Sequence, residues 1–170
     1  TSIAELQAMT LRPRSVPGQT WICKYTSPPP PETGAVDAVM GAVHSMVRLD
    51  PDEARRTRTP AYLPVEAEWT AYRPGSQGAA LGALSDQERY HEMMKDVTDP
   101  TAILYLHGGG YLMLDPKSHR PFLKQLCKRT GGRGYSVRYR LSPQGVFPGA
   151  LLDAFVSYLT LLYPPPDAFH

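Results

Sequence analysis

The stretch from Thr101 to Tyr163 constrains the fold more than any other part of the chain. Ala102-Ile103-Leu104-Tyr105-Leu106 is a short apolar run, the pattern of a strand buried on both faces. A glycine-rich turn follows it directly. Phe122, Leu123, Leu126 and Cys127 then mark the apolar face of a helix that Ser118 could cap, with Pro121 tolerated in its first turn. Gly131-Gly132 ends that helix. Tyr135 to Tyr139 reads as a second strand. Pro148 suits a helix start, and Leu151, Leu152, Phe155, Val156, Leu159 and Leu162 recur at helical spacing until Pro164 to Pro166 stop them. Strand, helix, strand, helix is the order of an α/β fold with a parallel sheet.

The remainder is less regular. At roughly 150 residues per domain, 170 residues argue for one domain. The 18 prolines are about twice the ordinary share of ~5%, a density that limits long helices and excludes a coiled coil. Residues 1–60 are turn-rich, with Pro28 to Pro31 reading as polyproline II. Glu32 to Leu49 then reads as a helix, with Val36, Val39, Met40, Val43, Met46 and Val47 on one stripe. Arg48, Arg55, Arg56 and Arg58 are interleaved with Asp50, Asp52 and Glu53, which points to a solvated mixed-charge surface. Val65 to Tyr72 alternates like a half-buried strand. Gly75, Gly78 and Gly82 mark a loop. Ser85-Asp86-Gln87-Glu88 fits a capping box, so a short helix starts there with His91 facing solvent.

Composition removes several function classes. A net charge of +2 gives no support for a nucleic-acid partner, which calls for a basic patch. The longest nearly apolar stretch, Leu151 to Tyr163, contains Asp153 and falls well short of the ~20 residues a membrane span needs. No secretory signal follows Thr1, although the first residue is not Met. Cys23 and Cys127 form neither a zinc ribbon nor a disulfide framework; two reduced thiols make a cytoplasmic location the expectation.

The chemistry lies in His107-Gly108-Gly109-Gly110-Tyr111, directly after the apolar run. Three consecutive glycines suit a place where bare backbone approaches something closely and its N–H groups point at it. An oxyanion hole needs that arrangement, because fixed N–H donors stabilise the charge that develops on a carbonyl oxygen. A structural turn and a phosphate-binding loop are the competing readings. The latter lacks the third glycine of G-x-G-x-x-G, and no G-x-x-x-x-G-K-[ST] occurs. His107 reads as a brace for the loop rather than as a base or, with His119, a zinc ligand, since no third ligand stands at a recognisable spacing.

Tyr105 to Tyr111, Asp115-Pro116, His119-Arg120, Tyr139 to Gln144, and Phe147-Pro148 through Leu151-Leu152-Asp153-Ala154 together resemble the hormone-sensitive-lipase-like branch of the α/β-hydrolases, particularly its fungal members. The match covers about residues 101 to 163. The resemblance implies the N-terminal part of an α/β-hydrolase fold, a mostly parallel sheet with flanking helices, truncated before the nucleophile strand. It divides the chain into a Pro-rich and helical segment over 1–60, cap-like or a linker, and a partial hydrolase domain over 61–170. It implies hydrolysis of small-molecule carboxylic esters by a Ser-His-Asp/Glu triad, without metal or organic cofactor. The family's oxyanion donors fall on the backbone N–H groups of Gly109 and Gly110, next to His107. Tyr111 borders the acyl pocket, and Tyr139, Arg140 and Asp153 support the site. Ser142 and Gln144 depart from the family's usual Ala and Glu, and Arg138 sits oddly in a strand expected to be buried.

No G-x-S-x-G nucleophile elbow occurs in the 170 residues, and the triad Asp and His that follow it in the family are missing too. The sequence therefore predicts a chain that is inactive by itself: either the N-terminal portion of an esterase or lipase-like enzyme, or a non-catalytic binding or regulatory fragment of that fold. In the family's sheet the 102–106 strand lies between the 135–139 strand and the missing nucleophile strand, so the resemblance also implies flanking helices on opposite sheet faces and an open apolar edge along 102–106 that invites self-association.

Overall fold

The computed structural model describes residues 2–11, 15–16, 18–30, 34–46, 58–75 and 84–169. Val47, Arg48, the Asp50 to Arg56 charges, Gly78 and Gly82 lie outside them. The elements in chain order are α1 (Ile3–Thr10), β1 (Thr20–Ser27), α2 (Gly34–Met46), β2 (Val65–Tyr72), α3 (Asp86–Asp96), β3 (Ala102–Leu106), α4 (Pro116–Thr130), β4 (Arg133–Arg138) and α5 (Gly149–Leu162). The four strands form one sheet in the order β1-β2-β4-β3.

The sheet is mixed rather than mostly parallel. β1 pairs antiparallel with β2 from Thr20 opposite Tyr72 to Ser27 opposite Val65, and β2 pairs antiparallel with β4. Only β3 and β4 run parallel, with Leu106 opposite Val137, and α4 supplies the crossover between them. β1 lies within the 1–60 segment yet shares this sheet with the strands of 61–170.

The two faces are covered by different helices. Trp21, Cys23 and Tyr25 of β1 stand with Ala67, Trp69, Ala71, Tyr135 and Val137 in the main core, joined by Tyr90 and Met93 of α3 and Leu152 and Val156 of α5. Trp69 meets Tyr135 edge-on, with ring centroids 4.7 Å apart. The opposite face takes α4. Cys127 donates to the Thr70 carbonyl, and a Cβ on Gly134 would stand 2.6 Å from Leu123, so the missing side chain lets helix and strand approach. The flanking helices α4 and α5 thus lie on opposite faces of the sheet.

Several expectations change in the folded chain. β3 is an edge strand with one neighbour among the described residues; Ala102 and Leu106 are exposed and 103–105 half-buried, not buried on both faces. β2 is the reverse case: with two partner strands and both faces covered, only Glu66 is exposed. α4 is capped by Asp115, whose carboxylate accepts from the Ser118 amide, so Ser118 sits inside the first turn and Pro121 inside the helix. β4 begins at Arg133 and ends at Arg138. Met46, on the expected α2 stripe, is exposed. The Ser85 capping box, the left-handed Gly131 cap and the exposed His91 appear as expected. Cys23 and Cys127 are free and buried, with thiols pushed up to about 12 and about 11 mainly by burial. No described helix is long and apolar enough to cross a membrane.

Candidate active site

The loop at 107–115 leaves the sheet at the carboxyl end of β3. Its backbone is left-handed at Gly109, Gly110, Tyr111 and Leu114, with φ of +120°, +62°, +61° and +71°. Gly109 is obligatory there: a Cβ would lie 2.1 Å from the Met113 carbonyl oxygen. The Gly109 carbonyl accepts from the amides of Leu112 at 3.1 Å and Met113 at 3.2 Å, which closes the turn. The amides of Gly109 and Gly110 themselves donate to no group among the described residues. Tyr111 is 64% exposed, with its ring centroid 5.8 Å from that of Tyr139.

His107 is buried against Tyr139, with ring centroids 4.2 Å apart at 12°, and the Tyr139 hydroxyl donates to the His107 carbonyl oxygen. His107 Nδ1 lies 2.8 Å from the Gly108 carbonyl, which it serves as a donor in the Nδ1–H tautomer. Burial holds its pKa below the ordinary histidine value, the Gly108 hydrogen bond opposing this; His119 and Arg138 add to the depression and Asp115 opposes it. His119 stacks at 6.2 Å, and no group of three or more His, Cys, Asp or Glu among the described residues is arranged to hold a metal.

Arg138 is the last residue of β4, where the strand leaves the core. Its guanidinium is one-third exposed and reaches Glu66 at 3.1 Å and Asp115 at 3.4 Å, so its place in the sequence is that of a strand-end cation. Arg140 and Asp153 form a bidentate pair at 2.9 and 2.6 Å; the same carboxylate accepts from the Arg140 amide at 2.8 Å, and the guanidinium also donates to the Ala61 carbonyl at 3.1 Å. This fixes the turn between β4 and α5. Tyr139, Arg140 and Asp153 thus converge behind the loop. A cavity of about 670 Å³ opens on that side, between Gln7, Leu114, Arg138, Tyr139 and Gln144; the loop glycines do not line it.

Two features escaped the sequence reading. Arg120 of α4 and Glu68 of β2 form a buried bidentate pair at 2.8 and 2.6 Å. The short helix α1 also docks against the loop through Gln7 and Thr10. Its start was legible as Ser2-x-x-Glu5, a capping box that both side chains complete.

Comparison with known proteins follows the same motifs. Residues 103–168 match the family model described as alpha/beta hydrolase fold. The chain is 30% identical to hormone-sensitive lipase of Mus musculus over 105 residues, which is 56% of this chain and 13% of that protein. It is 39% identical to versiconal hemiacetal acetate esterase of Emericella nidulans over 71 residues, 42% of this chain and 25% of that one. An esterase from the bacterial hormone-sensitive lipase family aligns in three dimensions at 25% identity and a TM-score of 0.43, covering 77% of this chain and 43% of the other. The aligned part of the chain spans less than half the length of each of these proteins. Over the part that carries the glycine loop and the Arg140–Asp153 turn, the chain matches the alpha/beta hydrolase family model and is similar to hormone-sensitive lipase and related esterases.

Proposed function

We propose that this chain supplies the oxyanion loop of a carboxylic-ester hydrolase acting on small-molecule esters. The observation that carries the reading is the pair of amides at Gly109 and Gly110, which donate to no group among the described residues and are held in left-handed backbone at the end of a parallel strand. Amide donors fixed before the reaction stabilise a developing oxyanion without reorganising. His107, stacked on Tyr139 and bonded to Gly108, braces the loop rather than acting as a base. Tyr111 borders the acyl group, and Tyr139 and the Arg140–Asp153 pair hold the frame.

The 170 residues contain no G-x-S-x-G, so the chain by itself turns over no ester. The test has two arms. The 170-residue chain should release no p-nitrophenol from p-nitrophenyl butyrate above buffer and should not be labelled by a fluorophosphonate. In a longer product in which a G-x-S-x-G serine follows this sequence, the Cβ of Gly109→Ala meets the Met113 carbonyl and displaces the amide, so kcat should fall by about 10²–10³-fold, as when one oxyanion donor is lost. Unchanged kcat would refute the assignment.

A second reading, a non-catalytic binding or regulatory fragment of the same fold, is favoured by the outer edge of β3, which has no partner strand among the described residues and where Leu106 is 46% exposed. An edge of this kind recruits another strand, including that of a second copy. Sedimentation velocity across a wide concentration range should then show reversible self-association that Leu106→Lys weakens; a strictly monomeric profile removes the self-association. A transcript with a stop codon after His170 supports this second reading, and a frame continuing into G-x-S-x-G supports the first. A cytoplasmic location is inferred from the two unpaired thiols, and a cleaved leader would contradict it.

A further inference from the structure

The helix α1 is buried by its polar side. Of its eight residues only Gln7 is buried, whereas Ile3 and Met9 are 45% and 56% exposed. Burying a carboxamide is unfavourable unless protein hydrogen bonds replace those to water. Here three do. Gln7 Nε2 donates to the carbonyls of Leu112 and Ser142, both at 2.8 Å, and Gln7 Oε1 accepts from Gln144 Nε2 at 3.0 Å. Both donors of the side chain and one acceptor site are therefore used. One turn later, Thr10 Oγ1 accepts from the Leu114 amide at 3.3 Å, and the Ser142 amide donates to the Tyr111 carbonyl at 2.8 Å. A single side chain from the start of the sequence ties the glycine loop to the turn after β4.

The loop needs such a tie. Tyr111 and Leu114 carry side chains in the left-handed region, where each residue costs about 1–2 kcal/mol. Such backbone persists only when its surroundings impose it. Leu6 is half-buried and no apolar residue of α1 is fully buried, so the hydrogen bonds of Gln7 and Thr10 are the specific ties between the helix and the loop.

We propose that Gln7 is a positioning residue: by clamping the Leu112 and Ser142 carbonyls it holds the Gly109 and Gly110 amides in place. The functional meaning of the clamp rests on the oxyanion reading of those amides. Gln144 completes the carboxamide network by donating to Gln7 Oε1.

Hydrogen exchange on the full chain, followed by NMR, tests the clamp without requiring turnover. Gln7→Met keeps the length of the side chain and removes its hydrogen bonds. Protection of the Leu112, Met113 and Ser142 amides should fall at least about tenfold, while the Thr70 and Tyr135 amides in the sheet stay within about twofold. Gln7→Glu, which keeps an acceptor for Gln144 but sets a carboxylate against two carbonyls, should release the same three amides. If those amides hold their protection in folded Gln7→Met, the proposal is overturned. Should Gln7→Met not fold, the unaltered chain decides in sub-denaturing urea. There the Leu11 amide, which reports α1 through its bond to the Gln7 carbonyl, should open together with Leu112, Met113 and Ser142. Opening of Leu11 with the other three still protected overturns it as well. A clamp that passes these tests in a protein whose kcat ignores Gly109→Ala would stand while the oxyanion reading fell.

Discussion

The His107 imidazole lies flat on the Tyr139 ring, and the Tyr139 hydroxyl donates to the carbonyl of that same histidine. One tyrosine therefore fixes both the side chain and the backbone at the point where β3 turns into the glycine loop. Tyr139→Phe retains the stack and leaves the His107 carbonyl without this donor. The expected loss is about 1–3 kcal/mol, the cost of orphaning a buried acceptor. Urea unfolding of the two chains measures it, and equal midpoints would show that the hydroxyl contributes nothing.

The same histidine makes stability depend on pH. Burial lowers its pKa in the folded chain below the ordinary 6.5, against the opposing effects of the Gly108 carbonyl and Asp115. Between the depressed folded value and the unfolded one, the unfolded chain binds more protons, so stability falls as pH drops through about 6.5. Urea midpoints from about pH 7.5 to about pH 5.5 should decline, and His107→Asn should flatten the decline. An identical slope in the variant would assign the effect to other groups.

The glycines of the loop are not equivalent. Gly109 has φ +120° and no room for a Cβ beside the Met113 carbonyl; Gly110 has φ +62° with nothing within 4 Å. Gly110→Ala should cost about 1 kcal/mol, the left-handed penalty alone. Gly109→Ala adds a backbone clash and should cost roughly 1–3 kcal/mol, with loss of protection at Leu112 and Met113. The reverse order in thermal or urea unfolding would contradict the loop conformation.

Arg120 and Glu68 are 5% and 3% exposed and face each other between α4 and β2. Arg120→Met strands a buried carboxylate and should destabilise by about 3–5 kcal/mol. Replacing both, Glu68→Leu with Arg120→Met, should recover most of that loss, because no unpaired charge is then buried. A double variant as unstable as the single one would place the cost in packing instead.

The order of elements from β3 to α5 was legible because each is punctuated locally: an apolar run, glycines, a left-handed glycine cap and a proline stop. The same local signals gave the Ser85 cap and the outline of α2. They failed where the deciding partner is remote in sequence. The alternation in β2 suggested a half-buried strand, yet Glu68 is buried because Arg120, 52 residues later, neutralises it. The apolar run of β3 suggested full burial, yet its place at the sheet edge leaves Leu106 exposed.

The sequence by itself determined that a glycine loop would follow a strand in an α/β unit, since motif and period are properties of neighbouring residues, and resemblance to known motifs supplied the hydrolase reading. Only the tertiary structure decided what fixes that loop. Gln7 meets Ser142 across 135 positions and Tyr139 meets the His107 carbonyl across 32. Hydrogen bonds of that reach depend on how strands stack into a sheet and where a helix docks, and no local pattern encodes either.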